Sequence, residues 1–148
     1  MDKNTAILNY FIGDSTLYIA CIADSLYKIE EIPIDSSFKI LVTRYSKDIR
    51  TAETGLFTKN SHALYEKLIN PVKAYIAGKN HLVIIPDDYL YYVPFETLIE
   101  NAPSTINSNE DFTKPDYLIK SHFISYQHSA TLWYNSKKRK KRWLQTKK

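Results

Sequence analysis

Few side chains in this sequence are spaced to do chemistry, and the closest pair is Asp87 and Asp88, directly after the apolar run Leu82 to Ile85 and Pro86. Adjacent carboxylates raise one another's pKa and attract cations, which makes the pair a candidate general base or metal site. A turn is the more economical account, because Asp following a strand and a proline bonds to nearby backbone amides. His128 and Ser129 set a base beside a hydroxyl. Nucleophilic catalysis needs convergent geometry and a third orienting group, whereas Ser129 as a helix N-cap needs neither. Cys21, the single cysteine, sits in the apolar segment YIACIAD with no adjacent histidine or cation to lower its pKa, so it reads as a buried structural thiol. It has no partner for an intramolecular disulfide or a zinc motif. The four histidines precede Ala63, Leu82, Phe123 and Ser129 and read as satisfied or exposed imidazoles. With Gly only at positions 13, 55 and 78, no glycine-rich phosphate loop exists. The expectation is therefore no catalytic residue, no metal and no cofactor.

Charge points elsewhere. Residues 137–148, KKRKKRWLQTKK, hold eight of the twenty Lys and Arg and no acid, so the remainder carries 12 basic and 16 acidic residues, a net −4 against +4 for the whole. Such a tail, with Trp143 among its cations, is suited to phosphate backbones or anionic lipid with strong salt dependence, or is a solvated, frayed helix end. The other 136 residues have the makeup of one globular domain, and a chain of this size buries roughly 68–70% of its unfolded surface. No apolar run approaches the ~18 residues of a membrane span and no signal peptide is recognisable, which predicts a cytoplasmic protein.

Three strands are expected over residues 6–34. Turn residues Gly13, Asp14 and Ser15 separate the first two, Asp24 and Ser25 the next, and Pro33 hints at an edge. The second, apolar at every position from Leu17 to Ala23, is expected to be covered on both faces. Asp35 or Ser36 caps a helix with Phe38, Leu41, Val42, Tyr45 and Ile49 inward; a second begins near Asn60 or Ser61 with Leu64, Tyr65 and Leu68 inward. Asn70-Pro71 starts a short third helix, or kinks an unbroken one, with Val72, Tyr75 and Ile76 inward and Gly78 at its end. A strand over Leu82 to Ile85, a hairpin or short helix across Tyr89 to Ile99, a surface loop over 101–116, a strand over Leu118 to Tyr126 and a helix capped by Ser129 complete the expectation.

The block His81 to Leu98, HLVIIPDDYLYYVPFETL, and the block Tyr117 to Leu132, YLIKSHFISYQHSATL, together resemble the leading part of CHAT domains, caspase-like modules usually found behind tetratricopeptide repeats. Pro86, Asp87, Asp88, Pro94, Phe95, Glu96, Ser125, Tyr126 and Ser129 carry the motif. The resemblance implies an α/β fold, a central mixed sheet flanked by helices, over residues 1–136. Glu96, following Pro94 and Phe95, is expected to cap or anchor this turn; family members carry an acidic residue at the matching position, and it lies outside their catalytic dyad. That dyad, a His followed by Gly and a Cys in a Ser-Ala-Cys setting, lies downstream of the blocks seen here. The expected role is thus structural: a truncated or frameshifted product, the non-catalytic half that supports or regulates a caspase-like cysteine peptidase unit, with that half or tetratricopeptide repeats as partner. A small binding protein that uses the basic tail on nucleic acid or anionic membrane is the competing reading.

Overall fold

Alternating apolar residues in the first 33 positions form the strands β1 (Thr5–Ile12), β2 (Thr16–Ala23) and β3 (Leu26–Pro33), seen in a computed structural model that describes residues 2–51, 54–101 and 114–136. Gly13 N donates to Thr16 O at 2.9 Å to close the first turn. Asp24 closes the second at φ +49, a left-handed conformation that a short polar side chain tolerates. β4 (His81–Ile85) lies parallel to β1, and β5 (Phe123–Tyr126) parallel to β4. The result is a five-stranded mixed sheet in the order β3-β2-β1-β4-β5, with Pro33 on an edge strand as expected.

The helices α1 (Ser36–Thr51), α2 (Thr54–Leu68) and α3 (Lys73–Ile76) pack on the sheet face made by Ala6, Leu8, Tyr10, Leu17, Ile19, Cys21, Leu82 and Ile84. Asp35 starts α1 by accepting from Ser37 N at 2.8 Å, and the Ser37 contacts hold its carboxyl below the usual range. Phe38, Val42 and Tyr45 are buried on α1, and Leu64, Tyr65 and Leu68 on α2. Tyr10 crosses the core to donate its hydroxyl to Leu68 O at 2.9 Å. Pro71 opens a 3-10 turn, Asn70–Val72, that leads directly into α3, and Gly78 at φ +73 ends that segment.

Four expectations need correction. The helix α2 begins at Thr54, ahead of Asn60 and Ser61, and so buries Phe57, Thr58 and Ser61 as well. On α1 the inward position of the last turn belongs to Asp48, while Ile49 is exposed. Leu118–Ser121 is a helical turn (α4) and only Phe123–Tyr126 is strand: Leu118 N bonds to Leu98 O, and His122 N closes back on Leu118 O. Finally, β2 is fully covered on one face only. Its residues Leu17, Ile19, Cys21 and Ala23 are buried, while Tyr18, Ala20 and Ile22 are half-buried.

On that second face Ile7, Val83 and Ile85 are covered by Trp133 from a helix over 130–136 (α5), with Ala130 and Ile22 at its margin. One helix spans about two strands, since helices lie about 10 Å across and strands about 4.8 Å apart. The rest of the face, with Phe11 60%, Tyr27 62%, Ile29 49% and Phe123 70% exposed, carries large apolar groups facing outward. The basic stretch 137–148 and most of the expected loop lie outside the described residues.

Candidate functional site

Parallel strands in an open α/β sheet deliver ligand-facing residues at their C-terminal ends. Here β4 and β5 end at Ile85 and Tyr126, and the residues that follow line a cleft of about 490 Å³ with Pro86, Tyr91, Tyr92, Pro94, Glu96, Tyr126 and His128 in its walls. The two blocks singled out in the sequence therefore converge on one place.

Each motif residue has a definable task there. Pro86 ends β4 and Asp87 extends away from it, its Oδ2 accepting from Ile12 N at 2.9 Å. This amide lies at the end of β1, 75 residues away, and not in the local turn that composition suggests; Asp87 ties two strand ends together. Asp88, at φ +45, begins the 3-10 turn Asp88–Tyr92, and Ser46 of α1 donates to Tyr92 O at 3.2 Å. Pro94 precedes a second 3-10 turn, Phe95–Thr97, which selects the short-helix alternative over a hairpin. Phe95 is fully buried, its ring tilted 48° to that of Tyr10 with centroids 5.2 Å apart.

Tyr126 fastens this turn to β5. Its hydroxyl accepts from Phe95 N at 2.8 Å and donates to Glu96 Oε2 at 2.6 Å. Burial first, and then the Glu96 carboxylate, push the phenol well above its ordinary pKa, so it stays a donor at every physiological pH. Through this bond Glu96 is tied to β5. Ser125 points to the second face and pairs with His81 Nε2 at 2.8 Å; His81 Nδ1 in turn lies 3.4 Å from Thr5 Oγ1, and Thr5 donates to Asp2 Oδ1 at 2.7 Å. This chain of polar groups links β1, β4 and β5. Ser129 accepts a long bond from Leu132 N at 3.5 Å, the geometry of a weak N-cap, and His128 stacks on Tyr91 with ring centroids 6.3 Å apart.

The cleft holds carboxylate, phenol and imidazole groups but no thiol. Cys21 lies in the middle of β2, fully buried between Leu8 and Lys28 in the sheet register. Burial pushes its thiol up to about 11, which leaves on the order of one thiolate in 10⁴ at neutral pH. His62 and His122 are engaged by the carbonyls of Ile99 and Lys79. Among the described residues no group of three or more His, Cys, Asp and Glu is placed to hold a metal, and no helix is long and apolar enough to cross a membrane.

The family model of the CHAT domain matches residues 58–145, more than half of the chain and all of the cleft. The chain belongs to the CHAT family. The match starts inside α2, so β1 to β3 and α1 precede it, and β1 pairs with β4 of the matched part of this CHAT domain. No curated protein matches the chain. Two features of the CHAT domain were not foreseen from sequence. The Ser125–His81 pair depends on a parallel register between segments 44 residues apart, which leaves no local signal. Asp48 had one: it interrupts the apolar stripe of α1 at an inward position.

Proposed function

We propose that this CHAT domain is the non-catalytic half of a caspase-like module, one that supports or regulates a cysteine-peptidase half joined to it or contributed by another polypeptide. The observation that carries this reading is the position of Cys21. A peptidase of this family needs a thiol beside a histidine, and the one thiol here is sealed in the sheet with its pKa raised. The cleft geometry agrees, because the Tyr126 hydroxyl is committed to Phe95 N and Glu96 Oε2, and Asp87 beside the cleft holds the Ile12 amide. The second sheet face supplies a means of support. Phe11, Tyr27, Ile29 and Phe123 stand outside the cover of α5, as expected of a surface that packs on a partner.

The test is reconstitution. The CHAT domain is mixed with a separately produced peptidase half that carries a His-Gly and a Ser-Ala-Cys segment, and stoichiometry is read by light scattering. A one-to-one complex that is lost on Phe11→Asp or Phe123→Asp supports the reading. Failure to associate, with both partners folded, counts against it.

A further inference from the structure

A second cavity, of about 310 Å³, lies apart from the face just described and is lined by Asp48, Ile49, Phe57, Glu96, Thr97, Tyr117 and Ile119. Its lining is mainly apolar, with two carboxylates set into it. Asp48 is only 4% exposed, and among the described residues the one polar contact of its carboxylate is Asn60 Nδ2, which donates to Oδ2 at 2.6 Å. Among the described residues no donor reaches Oδ1 and no Lys or Arg pairs with the group. Glu96 commits Oε2 to Tyr126, and among the described residues no donor reaches its Oε1.

A carboxylate taken out of water is costly unless a cation and further hydrogen bonds compensate, and among the described residues Asn60 alone compensates Asp48. Asp48 lies on the buried stripe of α1, where Leu or Ile would pack without that cost. The cavity beside it has room for the missing partner. A hydrated metal ion would gain little from walls of Ile49, Phe57 and Ile119, whereas an organic cation buries its stem there and offers its charge to Asp48 and Glu96. Tyr117 already has Lys120 Nζ 5.9 Å from its ring centroid and Phe57 stacks on Tyr45, so the two carboxylates rather than the rings supply the attraction for a cation.

We infer that this cavity binds an alkylguanidinium or alkylammonium group, held by Asp48 as the buried anion and by Glu96 as the second. The inference is independent of the peptidase-support reading. The group's source is either a free amine or the side chain of an arginine or lysine on another polypeptide.

Methyl and amide NMR spectra of the full chain, titrated with n-butylguanidinium, test this. Saturable shifts should appear at Ile49, Thr97 and Ile119, and n-butylurea, its neutral isostere, should bind at least tenfold more weakly. Asp48→Asn should weaken butylguanidinium at least tenfold with the far-ultraviolet dichroism unchanged; should that variant unfold, the contrast between the two ligands on the unaltered chain decides. N-acetyl-arginine methylamide distinguishes the sources: binding at least as tight as butylguanidinium indicates a polypeptide side chain, and exclusion of the peptide form indicates a free amine. Equal binding of butylurea, no saturable shift at millimolar ligand, or full affinity in folded Asp48→Asn would overturn the inference.

Discussion

Replacing Tyr126 with Phe removes one oxygen and leaves the ring in place. Two bonds go with it, the acceptor for Phe95 N and the donor to Glu96 Oε2. Phe95 is fully buried, so its amide loses its partner without gaining water, a penalty of about 1–3 kcal/mol. The Glu96 bond is exposed and contributes less. A loss of about 2 kcal/mol at pH 7 is expected in urea unfolding, or roughly 4–8 °C in Tm for a chain of this size. The pH dependence supplies a second check. Tyr126 has its pKa raised in the fold, so its stabilisation is complete below the unfolded value of about 10 and is lost as pH climbs from there toward the folded value. The variant lacks that titration, and the gap between the two proteins should narrow above pH 10. With Tyr126 40% exposed, screening keeps the narrowing under about 1 kcal/mol per pH unit. A deficit below about 0.5 kcal/mol at pH 7, or one that stays constant to pH 11.5, would refute the idea that Tyr126 fastens the turn.

Asp87→Ala should cost about 1–3 kcal/mol in the same assay, since Ile12 N loses a charged acceptor that joins β1 to the end of β4. The double variant Phe11→Ser, Phe123→Ser should reduce self-association in sedimentation velocity with little change in Tm, because both rings are mainly exposed. Deleting residues 137–148 should leave Tm unchanged and abolish heparin binding; in the intact chain, that binding should fall by roughly three decades between 50 and 200 mM salt if about six phosphates are neutralised.

Local patterning made the sheet legible. Alternation in β1, turn residues at Gly13 and Asp24, and the apolar run of β4 all specify strands from nearby residues alone. What failed was decided by tertiary context. Residues 118–126 are apolar enough for one long strand, yet Leu118 is drawn into the core by its bond to Leu98 and the chain makes a helical turn before β5 begins. The composition of β2 suits two covered faces, but no local signal says whether a second layer exists to cover Tyr18 and Ala20. At the candidate site the motif residues were visible in the sequence as two blocks. Their connections were not, because Tyr126 meets Glu96 across 30 residues and Asp87 meets Ile12 across 75.

The central claim, that this CHAT domain is a non-catalytic half, is tested most directly by its own turnover of peptides. The purified chain and its Cys21→Ser variant are incubated under reducing conditions with a fluorogenic peptide library that varies the residue before the scissile bond. The account predicts no cleavage by either protein above buffer; peptide turnover by the unaltered chain that disappears in Cys21→Ser would contradict it.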